Sequence, residues 1–221
     1  KSGKGESFQA LLRKHGIPDK FHKFYNQKTK SFEYVSDNPI ELALENGEAK
    51  LQAIRINAGF ASEMDSEISK ALLKDYQKIL QQFPGVKLWI STSSQDLGEL
   101  VAAGADMRKE IKKRTRISLV SGDVALWAQD SSKPLASGAV TYMGPNSLLP
   151  VRAALFRSTE KLGQDGLVQV VKSVLPIDGG NTIVGRRHIF VGPNNVDLAM
   201  ELYGISRKDA LKALAEEYGK P

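Results

Sequence analysis

The chain has 221 residues, of which 41% are apolar and 25% are charged, a balance that excludes a disordered or collagen-like chain. It contains no cysteine, which excludes disulfides, cysteine-ligated zinc, iron–sulfur clusters and a cysteine nucleophile within these residues. The net charge of +6 arises in residues 1–30, which hold eight basic and two acidic residues, whereas residues 31–221 hold 23 of each.

Residues 1–47 are predicted to form a basic, partly irregular N-terminal extension, with a short helix over residues 6–15 and another helix starting near Asn38. Because the rest of the chain is neutral, nucleic acid is a disfavoured partner, and binding of anions by the basic extension is the weaker alternative. The longest uncharged run, residues 134–151, contains three prolines. We therefore predict no membrane-spanning helix.

The next segments predict an alternation of strands and helices. Residues 50–57 have a strand pattern, and Ser62 is placed to cap a long amphipathic helix that ends at Pro84-Gly85. A buried strand over residues 86–91 follows. A second helix is predicted over residues 95–114, with a break near Gly104, and its basic end Lys112-Lys113-Arg114 favours a solvated face.

The remaining segments are predicted to be mostly strands. A strand over residues 117–120 is followed by strand composition over residues 135–143, 151–156 and 167–174. Residues 182–191 form another strand region, with His188 inside it, and residues 206–218 form a capped amphipathic helix. This order predicts a mixed α/β domain over residues 48–221. The histidines lack the spacing of metal ligands, so we predict no metal site.

The first candidate for ligand binding follows the predicted strand over residues 117–120. Trp127 stands three residues before Asp130, so its indole is placed to wall a pocket into which the carboxylate points. The structural alternative is that Asp130 caps a turn, as loop aspartates commonly do. Spacing alone favours this alternative.

The second candidate is Asp178-Gly179-Gly180-Asn181. Paired glycines let the backbone turn sharply or approach a ligand closely, and here an acid and an amide flank them. The same residue types are typical of a plain hairpin turn. Taken alone, this segment also favours a structural interpretation.

Together and in this order, the two segments resemble a known family. Trp127-Ala128-Gln129-Asp130 resembles the Trp-x-Arg/Gln-Asp motif of the guanidine-modifying superfamily, which includes peptidylarginine, agmatine and arginine deiminases and amidinotransferases. Ile177-Asp178-Gly179-Gly180-Asn181 is similar to the Glu-Gly-Gly-Asn turn of that superfamily, with aspartate in place of glutamate. In layout, the resemblance extends over residues 50–221.

The resemblance implies that residues 48–221 form a partial α/β propeller of the pentein type, built of ββαβ modules and incomplete at its C-terminus. In that family an aspartate grips the substrate guanidinium, a His-x-Asp motif acts as acid and base, and a late cysteine attacks the guanidinium carbon. These 221 residues contain neither the His-x-Asp motif nor a cysteine. We therefore expect both beyond Pro221.

The resemblance also implies roles for the motif residues. Asp130 is expected to be the catalytic carboxylate that clamps the guanidinium, whose planar fork of N–H donors matches carboxylate oxygens. Trp127 and Gln129 are expected to line the substrate pocket. Asp178 and Asn181 are expected to bind substrate too, although the shorter aspartate and the turn-forming asparagine also have a structural interpretation.

The predicted function is hydrolysis of a guanidino group in an arginine-type or agmatine-type substrate, or in peptidyl arginine, by the full-length protein without a cofactor. The alternative is a non-catalytic binding protein that retains the fold, which the missing cysteine favours. The sequence leaves open whether the protein is cytoplasmic or exported.

Overall fold

The computed structural model describes residues 22–26, 29, 31–36, 41–44, 50–136, 140–143, 150–173, 175–176 and 178–220. The chain divides into two compact units. Unit 1 comprises Lys1–Ala49, Gln129–Ser147 and Val168–Pro221, and unit 2 comprises Lys50–Ala128 and Leu148–Leu167. The helix expected over residues 6–15, the start of the helix expected near Asn38, and Ile177 lie outside the described residues.

The strands, in chain order, are β1 (His22–Asn26), β2 (Ser31–Ser36), β3 (Ala53–Asn57), β4 (Lys87–Ser93), β5 (Thr115–Val120), β6 (Lys133–Pro134), β7 (Val140–Met143), β8 (Gln169–Ser173), β9 (Thr182–Val184) and β10 (Ile189–Val191). The helices are α1 (Glu63–Gln82), α2 (Leu97–Ala103), α3 (Lys109–Arg114), α4 (Pro150–Gln164), α5 (Pro193–Tyr203) and α6 (Arg207–Tyr218). Short 3-10 turns occupy Ala128–Ser131 and Gly179–Asn181.

Unit 2 is a mixed α/β unit with a parallel sheet in the strand order β3-β4-β5. Helix α1 connects β3 to β4, and α2 and α3 connect β4 to β5, because parallel neighbours require crossover connections. One apolar core joins the sheet to these three helices. Its buried members are Ile56, Ala58, Leu73, Leu80, Val86, Leu88, Ile90, Leu100 and Ile111.

The predicted helix boundaries in unit 2 are largely confirmed. Ser62 caps α1, and its Oγ accepts a hydrogen bond from the Asp65 backbone N–H at 3.1 Å. The second predicted helix breaks at Gly104 into α2 and α3. The basic end of α3 is not simply solvated: the Arg114 guanidinium donates to the carbonyl oxygens of Leu80, at 2.9 Å, and Val86, at 2.6 Å. Arg114 therefore satisfies carbonyl groups at and just beyond the end of α1.

Unit 1 contains a mixed sheet in the strand order β2-β1-β8-β7-β6, in which only β7 and β8 pair in parallel. Strands β9 and β10 form a separate antiparallel hairpin. Helices α5 and α6 follow this hairpin, and both contribute to the core of the unit. The buried core residues are Leu42, Leu135, Val171, Leu175, Val184, Val196, Ala199, Tyr203, Ala210, Ala213, Leu214 and Tyr218.

One strand prediction was wrong. Residues 151–156 were expected to be a strand, but they lie in α4. A short apolar run fits either a buried strand or a buried helix, so periodicity alone does not separate the two. The described part of α4 buries Phe156, Thr159 and Leu162, and this three-residue spacing is that of a helix face.

Three further expectations need correction. The strand region over residues 182–191 is two strands, and His188 lies in the turn between them, where its carbonyl oxygen accepts from the Gly185 N–H at 3.0 Å. Helix α5 was not predicted, although Pro193 at its first turn and left-handed Gly204 at its end are typical signals. Part of the N-terminal extension, which was expected to be irregular, forms the β1–β2 hairpin.

Candidate functional site

Asp130 lies in the 3-10 turn Ala128–Ser131, immediately before β6. This carboxylate-bearing residue is partly buried, and it belongs to unit 1. Trp127 precedes the turn and is 66% exposed, so its indole is accessible to solvent. The side chain of Gln129 lies outside the described part of the structure.

The Gly179-Gly180 turn of unit 1 is shaped by the two polar residues that flank it. Asp178 caps the 3-10 turn Gly179–Asn181, and its Oδ1 accepts from the Asn181 backbone N–H at 3.3 Å. The Asn181 side chain donates from Nδ2 to Asp178 Oδ2 at 2.8 Å. Both oxygens of the Asp178 carboxylate are thus held by one residue, which fixes the direction of the side chain.

A buried asparagine fixes this turn from beneath. Asn195, at the start of α5, accepts from the Asp178 backbone N–H at 2.6 Å and donates to Thr182 Oγ1 at 2.9 Å. Thr182 Oγ1 in turn donates to the Asp178 carbonyl oxygen at 2.8 Å. The turn, the first residue of β9 and the start of α5 are therefore joined by one hydrogen-bond network.

The carboxylate of Asp130 lies against the backbone of Gly180. A Cβ atom at Gly180 would collide with Asp130 Oδ1, and it would lie 3.2 Å from Asp130 Cγ and 3.5 Å from Asp178 Oδ1. Only a glycine permits this approach, because any side chain would occupy the position of the carboxylate. Two carboxylates from distant parts of the sequence therefore converge at Gly180.

The structure thus brings together three of the residues that the sequence singled out, namely Asp130, Asp178 and Asn181. Asn181 belongs to this group through its hydrogen bond to the Asp178 carboxylate. Trp127 belongs to unit 2. The roles of all these residues towards a ligand stay predictions.

Sequence reasoning missed two residues of this region. Lys133 in β6 is only 2% exposed, and it places a buried cationic side chain three residues after Asp130. Asn195 is buried and holds the turn. A lysine in a two-residue strand gives no sequence signal of burial, and Asn195 was hidden because helix α5 itself was not predicted.

Unit 2 contains a second polar region, on the face of its sheet that α4 covers. Arg55 in β3 donates from Nη2 to Ser158 Oγ in α4 at 2.6 Å. Burial of the guanidinium lowers the pKa of Arg55 to about 9, so this side chain is still protonated at neutral pH. Next to it, Asn57 donates from Nδ2 to the Ala125 carbonyl oxygen at 2.7 Å.

No family model matches the chain, and no curated protein matches it by sequence. Among solved structures, it is similar to the agmatine deiminase of C. jejuni, with a TM-score of 0.56 and 10% sequence identity. The match covers 85% of this chain and 55% of the deiminase chain. The chain thus spans about half the length of that enzyme, and the likeness concerns the fold.

The described residues contain neither a helix able to cross a membrane nor a cluster able to hold a metal ion. None of the helices described combines the length and the apolar character that a membrane crossing requires. Nor does the described part of the chain bring three or more histidine, aspartate or glutamate side chains together in a group able to hold a metal ion.

Proposed function

We propose that this chain is part of a deiminase-like guanidino-group hydrolase, and that the carboxylates at Gly180 receive the guanidinium of its substrate. The proposal rests on the convergence of Asp130 and Asp178 at a residue without a side chain. A guanidinium is planar, carries a permanent charge and presents five N–H donors, so it pairs best with carboxylate oxygens that lie close together. The fold shared with agmatine deiminase supports the same class of ligand.

In this proposal Asp130 clamps the guanidinium directly, since its carboxylate lies against the turn. Asp178 adds a second negative charge, and Asn181 keeps that carboxylate in place. Trp127 and Gln129 are proposed to line the substrate pocket on the ground of the sequence motif alone. The chain is then a portion of a pentein propeller, and its ββαβ modules are compatible with the mixed α/β units described above.

The proposed reaction begins with attack of a thiolate on the guanidinium carbon. Ammonia leaves, and water then hydrolyses the covalent amidino intermediate to release the ureido product and regenerate the thiol. These 221 residues contain no cysteine and no His-x-Asp motif. The hydrolytic step is accordingly proposed for the full-length protein, while this chain supplies the guanidinium-binding carboxylates.

A second candidate function is binding of a guanidino ligand or of peptidyl arginine without hydrolysis. The observation that favours it is the absence of cysteine from these residues. Both candidates require the same carboxylates. They differ in whether the full-length protein releases ammonia from agmatine or from an arginine derivative.

The binding step is tested by titrating the chain with agmatine in a calorimeter, with butylamine as the ligand that lacks the guanidinium carbon. We expect agmatine to bind and Asp130→Asn to weaken binding at least tenfold, because the charge on one side of the guanidinium is lost. The matched control is Asp123→Asn, which changes an exposed loop aspartate of unit 2 and should leave agmatine binding unaltered.

The result that overturns the proposal is equal agmatine binding by the wild type and Asp130→Asn. A competing structural role is pairing of Asp130 with the buried Lys133. If Asp130 has only this structural role, the wild type binds agmatine weakly or not at all. Asp130→Asn then lowers the midpoint of thermal unfolding, and Lys133→Met binds agmatine no better than the wild type does. Thermal unfolding of both variants, measured beside the titrations, separates ligand binding from a purely structural ion pair.

A further inference from the structure

Strand β5 lies at one edge of the parallel sheet of unit 2, in which it pairs with β4. On its other side it pairs with no strand in the part of the chain that the structure describes. Every second residue of β5 therefore directs its backbone N–H and C=O away from β4, where a further strand could pair with them. The Thr115 carbonyl oxygen accepts from Arg116 Nη1 at 3.1 Å, so the open edge runs from Arg116 to Val120.

This edge strand exposes apolar side chains. Ile117 and Leu119 are 43% and 40% exposed. Ile117 lies opposite Ile90 of β4, which is buried in the core shared with α1, α2 and α3. Directly opposite side chains share one face of a sheet, so both apolar residues of β5 extend the core face beyond the cover of these helices. The strand also contains no proline and no lysine, which commonly protect exposed edges.

Exposed cations surround the start of this strand. Residues 106–116 hold six basic and two acidic residues, so the segment carries a net charge of +4. Arg114 is held by carbonyl oxygens at the end of α1. The other five basic side chains are exposed and form no ion pair with any residue that the structure describes; they are Arg108, Lys109, Lys112, Lys113 and Arg116. This positive surface favours an acidic partner.

The three features together distinguish between kinds of partner. A second copy of this chain would bring the same cations against the edge, and like charges repel across paired strands. RNA would pair with the cations but would leave the apolar side chains and the backbone edge unused. An extended acidic segment with apolar residues at alternate positions uses the edge, the apolar face and the charge.

We propose that the edge of β5 binds an extended acidic segment of a partner protein as an additional strand. The backbone of the segment pairs with residues 116–120, and its alternate apolar side chains pack on Ile117 and Leu119. Its carboxylates pair with Lys112 and Lys113, which immediately precede the strand. This surface belongs to unit 2, so the proposal goes beyond the guanidinium site at Gly180 in unit 1 and does not depend on it.

The probe is the peptide Glu-Val-Glu-Val-Glu-Val-Glu, blocked at both ends and titrated into the isotope-labelled chain. It contains no guanidinium, so failure here and failure of the proposed function are distinguishable. We expect saturable amide shifts over residues 115–120. We also expect hydrogen exchange of the outward β5 amides to slow at least tenfold, because the added strand supplies their acceptors. The same peptide with every inner nitrogen methylated keeps its charges but lacks the donors, and it should bind at least tenfold more weakly.

Two variants test the side chains. Ile117→Thr keeps a β-branched residue in the strand and should weaken peptide binding at least threefold, because apolar contact is lost. The double variant Lys112→Gln, Lys113→Gln should weaken it at least fivefold. The matched control, Lys70→Gln with Lys74→Gln, removes two exposed lysines of α1 and should leave the affinity unchanged. Circular dichroism of each variant confirms that the chain is folded.

Equal binding of the parent and methylated peptides would overturn the proposal, since charge alone would then explain the affinity. Equal losses in the two lysine double variants would do the same, as would the absence of saturable shifts. A ten-nucleotide oligouridylate that shifts residues 108–116 and binds more tightly than the acidic peptide would show a nucleic-acid surface and would also overturn it.

Discussion

In unit 1 the polar side chains around the Gly179-Gly180 turn are paired with one another, whereas the sheet of unit 2 buries side-chain oxygen atoms that have no hydrogen-bond partner among the described residues. Asn195 joins the Asp178 backbone N–H to the Thr182 hydroxyl in unit 1. In unit 2, Asn57 and Ser91 are neighbours across the sheet. Asn57 Oδ1 and Ser91 Oγ are both buried, and neither has a hydrogen-bond partner among the described residues.

This difference indicates where each unit is sensitive to substitution. Removing one member of a satisfied network leaves its buried partners without hydrogen bonds, and each such group costs about 1–3 kcal/mol. Removing a buried hydroxyl that has no partner instead removes a desolvation cost. We therefore expect the turn of unit 1 to hold its carboxylates in one geometry. We expect Asn57 and Ser91 in the sheet of unit 2 to tolerate substitution.

The largest expected effect comes from Gly180→Ala. The new Cβ would collide with Asp130 Oδ1, so the Asp130 carboxylate must move away from the turn. We expect agmatine binding to fall more than tenfold, because one of the two convergent carboxylates is displaced. Calorimetric titration measures the loss, and far-UV circular dichroism shows that the fold is retained.

The control for this substitution is Gly98→Ala. Gly98 lies in α2, a Cβ atom there would meet nothing within 4 Å, and alanine is the better helix former. This variant should bind agmatine as the wild type does. Unchanged affinity in Gly180→Ala would mean that the close approach of Asp130 has no part in binding, and the two carboxylates would then be only a structural feature of the turn.

A pair of substitutions tests the comparison of the two units directly. Asn195→Ala in unit 1 should lower the free energy of unfolding by about 2–3 kcal/mol, because the Asp178 N–H loses its acceptor and the Thr182 hydroxyl loses the donor Asn195 Nδ2. Ser91→Ala in unit 2 should change it by less than about 1 kcal/mol, and in the stabilising direction. Urea unfolding followed by circular dichroism measures both.

The comparison of the units breaks if Ser91→Ala destabilises the protein as much as Asn195→Ala does. That result would mean that a buried water molecule satisfies Ser91 and Asn57.

Local signals in the sequence were sufficient to predict most of unit 2. The cap at Ser62, the period of α1 and the break at Gly104 are each determined by residues within one or two helical turns. The error at residues 151–156 has a different origin. Whether that short apolar run becomes strand or helix depends on residues 156–162, whose buried positions recur with a spacing of three, and on the sheet that they contact.

The candidate site could be predicted only as two separate motifs. Asp130 and Asp178 are 48 residues apart in the sequence, and no spacing rule indicates that both approach Gly180. The resemblance to a family suggested that they share a site, since both motifs belong to it. Asn195 and Lys133 could not have been found in this way, because their burial depends on the tertiary packing of α5 and β6.

The smallest effect at neutral pH concerns Tyr203 in the core of unit 1, because this effect is confined to alkaline solution. Burial, and then the charge of Glu217, raise the pKa of Tyr203 to about 12, from the usual 10. Between pH 10 and 12 the unfolded chain has lost this phenolic proton while the folded chain retains it, so the stability that Tyr203 contributes is full below pH 10 and is lost as the pH rises towards 12. Two pKa units correspond to roughly 2–3 kcal/mol, and partial solvation of the ring reduces this to about 2.

Tyr203→Phe has no such proton. Urea unfolding at pH 8, 10 and 11.5 should therefore show a shallower fall of the free energy of unfolding with pH than in the wild type. Other ionisations, including that of Arg55, act equally in both proteins and cancel in the difference. Parallel curves over this range would mean that the Tyr203 hydroxyl titrates in the folded core as it does in water.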